Sequence, residues 1–173
     1  FKTITWALAM IEPSEDHPVT IHLANGEYSP NTGEIFPINL PSYVSLEGES
    51  QDGTIIDAQS TSRVMILDYI QECNISKVSL QGGYDSWEGG GVYLSNSSVA
   101  FIDVNVNNNI GGSYGGGMWI WYSTVILNNV TIKDNISYAR GGGIFIGTES
   151  NIEFINTNIN NNYTSGWGGG ICF

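Results

Sequence analysis

Carboxylates are the side chains with which this chain could do chemistry, and their spacing decides which chemistry is open. The second half carries Asp85, Glu88, Asp103, Asp134, Glu149 and Glu153. A glycosidase needs two or three carboxylates converging on one cleft. A polysaccharide lyase needs a base, often Lys or Arg, beside a neutralised uronate. No two of these acids recur in one column of the repeat described below, and Lys133 and Arg140 fall at different corners of one repeat. His17 and His22 have no Ser, Cys or carboxylate at a spacing that suggests a partner, and Asp57 has the setting of a turn residue. These residues make no catalytic constellation. Cys73 and Cys172 lie too far apart for a metal knuckle or a CxxC redox pair. We expect no metal and no cofactor; a net charge of −12 attracts cations such as Ca²⁺ in general, but no motif for one is present.

Aromatic residues are the more suggestive set. Tyr93, Trp119 and Phe145 recur at a constant offset of 26, with Trp121 and Tyr122 close by. Exposed rings of this kind can stack on sugars or bury against a protein partner. They can equally pack on each other across strands, or be covered by Trp87, Tyr114, Tyr138 and Trp167 from the preceding loops. Both readings stay open in the sequence.

The elements that must position these residues follow from an internal repeat, the first thing to seek in a chain of this composition. Triple glycines begin at Gly89, Gly115, Gly141 and Gly168, at offsets of 26, 26 and 27. Each is followed by an apolar strand, as in Val92-Tyr93-Leu94 and Met118-Trp119-Ile120. Further columns keep the same register: Cys73, Val99, Val125 and Ile152; Ile75, Phe101, Leu127 and Phe154; Val78, Val104, Val130 and Thr157; Leu80, Val106, Ile132 and Ile159. The extra residue enters once, near Gly147-Thr148-Glu149-Ser150, and the register then resumes. Alternation within each repeat is strand periodicity, and no segment is long enough for a crossover helix. Three short strands per turn, stacked in parallel at about 4.8 Å, make a single-stranded right-handed parallel β-helix, an all-β solenoid.

One column is polar. Asn109, Asn135 and Asn162 fall where the chain bends after the third strand, and we expect their amides to form a structural ladder. The glycines precede strands rather than helices, so they are corners and not phosphate cradles. Alternation directs Val92 and Leu94 inward and Tyr93, Trp119 and Phe145 outward. Cys73 points into the core and Cys172 outward, which rules out a bridge between them.

Residues 1–70 are less regular and 71–173 hold the regular turns, all within one domain. Thr3 to Ile11 reads as a short helix with Thr3 as N-cap and Pro13 as its end, a lid over raw core and open strand edges. Val64-Met65-Ile66-Leu67, at an expected offset of 26, is the glycine-led strand without its glycines. The last strand carries no such cover. The expectation is that more repeats follow in a longer parent, or that another copy or molecule closes this end. A start at Phe1, without Met, agrees with a processed form or a fragment.

Composition narrows the partners. The basic residues are Lys2, Arg63, Lys77, Lys133 and Arg140, too few for a nucleic-acid face or an anionic membrane surface, and no apolar run is long enough to span a bilayer. Sequons at Asn74, Asn96, Asn129, Asn135 and Asn162 are the chance yield of a chain rich in Asn, Ser and Thr.

The segments Thr131-Ile132-Lys133-Asp134-Asn135 through Gly141-Gly142-Gly143-Ile144, and Asn158-Ile159-Asn160-Asn161-Asn162 through Gly168-Gly169-Gly170-Ile171, resemble the repeats of the polymorphic outer-membrane protein family. A third glycine stands where that family has Ala. The opening, Phe1-Lys2-Thr3-Ile4 with Ala7, then Ile21-His22-Leu23 and Gly26-Glu27-Tyr28, is similar to that of many secreted bacterial right-handed β-helix proteins. The resemblance implies a secreted, extracellular or cell-surface protein of bacterial type. The function expected is a non-catalytic module for surface display, adhesion or glycan binding. The alternatives are a subunit that stacks end to end into filaments and a carbohydrate-active enzyme.

Overall fold

A strand turns a corner of a coil where one residue takes positive φ, and each regular turn places four such residues in columns. They are Gly89, Gly115, Gly141 and Gly168; Asn96, Tyr122 and Glu149; Lys77, Asp103, Asn129 and Asn156; and Gly82, Asn108, Asp134 and Asn161. Short polar side chains that tolerate the left-handed region fill most of the non-glycine corners. The computed structural model describes residues 2–173; Phe1, part of the opening resemblance, lies outside the described residues.

The corners wind the chain into an all-β, right-handed parallel β-solenoid of about six turns with a short N-terminal helix. A six-stranded sheet collects the glycine-led strands: Ile38–Asn39, Met65–Asp68, Val92–Ser95, Met118–Trp121, Ile144–Ile146 and Ile171–Cys172. A ten-stranded sheet holds both other strand columns, merged into the bent strands Cys73–Gln81 and Ser98–Asn107. Val99 lies between Cys73 and Val125, and Val125 pairs with Ile152, so the expected columns are piled in line. A further four-stranded sheet of two-residue strands, among them Tyr84–Asp85 and Ile110–Gly111, forms one corner. Two residues are too few to show alternation, so this ladder has no signature in the sequence.

The inward columns fill the coil: Phe101, Leu80, Leu94 and Ile120 are fully buried. In the last turn Ile152, Ile159 and Ile171 are only half-buried against that core. The Asn column is held inside. Asn109 Nδ2 donates to Asn135 Oδ1, and Asn135 Nδ2 to Asn162 Oδ1, each at 3.0 Å. The same oxygens accept the Asn109 and Asn135 backbone N–H groups, both at 3.0 Å. Each second amide hydrogen reaches a carbonyl on the previous turn, Leu80 for Asn109 and Val106 for Asn135. Every buried donor and acceptor is thereby satisfied at a corner where the backbone alone could not do so.

Two expectations for the first turns need correction. The helix spans Ile4–Leu8 and ends at the Ala9 cap, before Pro13 is reached. Thr3 does cap it, accepting from Trp6 N at 3.2 Å. The buried Glu34 carboxylate takes the Ile4 and Thr5 N–H groups from outside, supplying acceptors for orphan donors that the helix cannot pair itself. The second correction is register: Met65, not Ile66, pairs with Val92, an offset of 27. A slip of one would have turned every side chain of that strand to the wrong face. No helix among the described residues is long and apolar enough to cross a membrane.

Candidate functional site

The outward column of the glycine-led sheet is in register from Tyr93 to Trp119 to Phe145. Stacked strands lie about 4.8 Å apart, close to the distance at which flat rings touch, so neighbouring rings in one column can stack. Tyr93 and Trp119 do so at 4.6 Å and 16°. Trp121, two residues along the strand, lies parallel to Trp119 at 5.5 Å and 2°, and over Phe145 at 6.5 Å and 9°. Tyr122 meets Trp121 edge-on. Of the two arrangements open in the sequence, the structure shows rings packed on each other across strands. The rings cover one another, leaving Trp119 7% and Phe145 8% exposed, while Tyr93 and Trp121 are half-buried. Gly147, in the segment that carries the inserted residue, seats Trp121: a Cβ there would lie 1.8 Å from its Cε3.

Beside this floor stands a wall. Glu88, Tyr114, Arg140 and Trp167 succeed one another through parallel bridges, one per turn. Tyr114 leans in against Phe145 at 5.0 Å. The other loop aromatics, Trp87, Tyr138 and Trp167, stay exposed and do not cover the floor. Floor and wall enclose a cleft of about 590 Å³ lined by Glu88, Tyr93, Ser95, Tyr114, Trp119, Trp121, Arg140 and Phe145. A second depression of about 390 Å³ shares Trp121, Arg140 and Phe145 and continues toward Gly147 and Ser150.

Arg63 closes the upper end. Its guanidinium lies 5.0 Å over the Tyr93 ring, reaches Asp85 at 2.8 Å and donates to the Glu88 carbonyl at 2.8 Å. Burial raises the Glu88 carboxyl above the ordinary glutamate range, with Arg63 opposing and Asp85 reinforcing the shift. Burial also raises the Tyr93 hydroxyl, against a hydrogen bond with Ser95. Arg140 is held by rings, 4.7 Å from Trp167 and 6.0 Å from Tyr114.

The polar half of this cleft was missed in the sequence, although Glu88 and Arg140 stand 52 residues apart, two repeats of 26. Elsewhere the histidines gain partners that spacing did not suggest. His22 lies opposite Glu47, 3.4 Å away, and Glu47 in turn binds Lys77 at 2.7 Å. His17 Nδ1 sits 3.4 Å from the Ser14 hydroxyl. Asp57 takes the turn role, accepting from Gln59 N at 2.8 Å. Both cysteines are free, and burial pushes the Cys73 thiol up to about 12, which makes it an inert core group. Among the described residues no three His, Cys, Asp or Glu side chains gather closely enough to hold a metal ion.

No curated protein matches the sequence. Solved structures do. The ORF18 protein of Geobacillus virus E2 is 16% identical with a TM-score of 0.59, over 89% of this chain and 38% of that one. A pectin methylesterase from Yersinia enterocolitica is 16% identical with a TM-score of 0.54, over 95% of this chain and 66% of that one. A pectin methylesterase mutant in complex with a hexasaccharide is 13% identical with a TM-score of 0.48, over 84% and 51%. At 16% identity the first two likenesses show the fold alone, and the chain spans 38% and 66% of those two proteins' length. The sequence profile that does match runs over residues 1–171, and the chain belongs to that family, described as protein of unknown function (DUF1565).

Proposed function

We propose that this chain is a non-catalytic, extracellular β-helix module that binds a glycan in the aromatic cleft. One observation carries the reading: a floor of rings faces a wall in which the charged Glu88 and Arg140 alternate with aromatic side chains, across one cleft. Sugar rings offer apolar C–H patches to aromatic side chains and hydroxyls to polar ones, and such a groove meets both needs. Of the floor rings, the half-buried Tyr93 and Trp121 and the exposed Tyr122 reach solvent. A two-carboxylate mechanism finds one lining carboxylate, Glu88, in the larger depression. A carbohydrate-acting protein, the Yersinia pectin methylesterase, shares the fold, which fits the reading. The likeness of the repeats to those of the polymorphic outer-membrane protein family supports the extracellular setting.

A glycan array followed by titration calorimetry tests the proposal. Trp121→Ala is expected to weaken binding about tenfold or more, in line with losing an aromatic contact, while Asn74→Ala on the opposite sheet leaves it unchanged. Binding that ignores Trp121 would remove the cleft from the reading. Turnover of any bound polysaccharide would remove its non-catalytic part.

A further inference from the structure

Arg140 is the cation that lines the groove, and its own partners leave it incomplete. Among the described residues its guanidinium has no carboxylate within ion-pair distance and no hydrogen bond; its contacts are the rings of Trp167 and Tyr114. A guanidinium carries five N–H donors in one plane, and aromatic faces satisfy its charge but none of those donors. By contrast, Arg63 and Lys77 are each neutralised, by Asp85 and Glu47. The wall positions one turn to either side of Arg140 are neutral, Tyr114 and Trp167; Glu88 stands two turns away, about 10 Å along the axis. Glu149 sits on the rim of the second depression without reaching Arg140.

Position adds to chemistry. Arg140 lines both depressions, so it stands where the two meet, with Trp121 and Phe145, rather than at one outer end. The groove crosses four successive turns, on the order of 14 Å, which is room for more than one sugar ring. The two rings hold the guanidinium from 4.7 and 6.0 Å, so less side-chain freedom is lost when an anion docks on its free N–H groups.

We infer that Arg140 is an anion-recognising subsite and that the glycan held in this groove carries carboxylates, making it an oligosaccharide of a uronic acid. This rests on the glycan reading above. The net charge of −12 argues against diffuse adhesion to polyanions and so confines recognition to this point. Repulsion from distant acids is screened beyond about 8 Å at physiological salt, whereas a bidentate guanidinium–carboxylate contact acts within the groove.

The experiment titrates the chain with matched pairs: oligouronates of several linkages and their carboxyl-reduced, neutral counterparts. At least one oligouronate is expected to bind about tenfold tighter than its reduced partner, the size of a charge-assisted hydrogen-bonded contact. Arg140→Gln is expected to erase that difference, the oligouronate and its reduced partner binding alike, with circular dichroism reporting an unchanged fold. A preference that is absent from the native chain, or that survives Arg140→Gln, overturns the subsite and leaves the glycan reading standing. Absence of binding to every pair, acidic and neutral, overturns both.

Discussion

The solenoid has two contrasting outer faces built on the same strand spacing. On the glycine-led sheet the outward column is Tyr93, Trp119 and Phe145; Tyr93 stacks on Trp119, and Trp121 links Trp119 to Phe145, making a floor beside a standing wall. On the ten-stranded sheet one outward column runs through Asn74, Ala100 and Ile126 to Glu153, with Thr20 opposite Ser45 in the first turns. That column carries no ring, and the depression along it, about 520 Å³, is a trough lined mainly by small side chains such as Thr20, Ser45, Ser98 and Ala100. The backbone is the same on both. What differs is whether a column's side chains are large enough to touch at the ladder spacing, so the site belongs to what the coil displays rather than to the coil.

The comparison can be broken first at the corner that serves both faces. Asn135→Ala removes an oxygen that accepts two N–H donors of Asn109 and a side chain that donates to Val106 and Asn162. Each buried group left unpaired costs about 1–3 kcal/mol, so a loss on the order of 3–5 kcal/mol is expected in urea unfolding. Asn74→Ala, on the plain face, is expected to stay within about 0.5 kcal/mol. Equal losses would mean that the ladder does not hold the coil.

A smaller effect probes the seat of the rings. Gly147→Ala places a methyl where Trp121 lies, and the ring must shift or the backbone must yield. Destabilisation of about 1–3 kcal/mol is expected, with a change in tryptophan fluorescence and near-ultraviolet circular dichroism. An unaltered tryptophan signal would show that Trp121 is not packed on Gly147.

The smallest effect is a pH dependence confined to the cleft. Glu88 holds its proton more tightly in the fold than in the unfolded chain. Its contribution to stability is therefore present below the ordinary glutamate range and lost as pH rises through the raised value. Glu88→Gln, which stays neutral, is expected to gain on the native chain as pH rises from acid to neutral in paired urea titrations. A gain in the opposite direction would place Glu88 in a setting that favours its charge.

How far the sequence reaches differs between these regions. Turn spacing, inward columns, the Asn ladder and the outward file of rings are all written in the 26- and 27-residue periods, because a solenoid stacks equivalent positions and repeats their chemistry. The wall is not written that way. Glu88, Tyr114, Arg140 and Trp167 share a column but no chemical type, so similarity between repeats passes them over. Arg63 meeting Asp85 and Glu34 reaching the first helix are contacts from irregular turns, where no period predicts the partner.

Sequence alone determines that this chain coils and, in its regular turns, which side chains face inward and where the glycines turn a corner, since each follows from local alternation and a fixed repeat length. Tertiary structure alone decides that the rings bury one another, that a loop column rises beside them and that a guanidinium is left between aromatic faces. Those outcomes depend on distances across turns and on loop paths, where packing rather than periodicity sets the geometry.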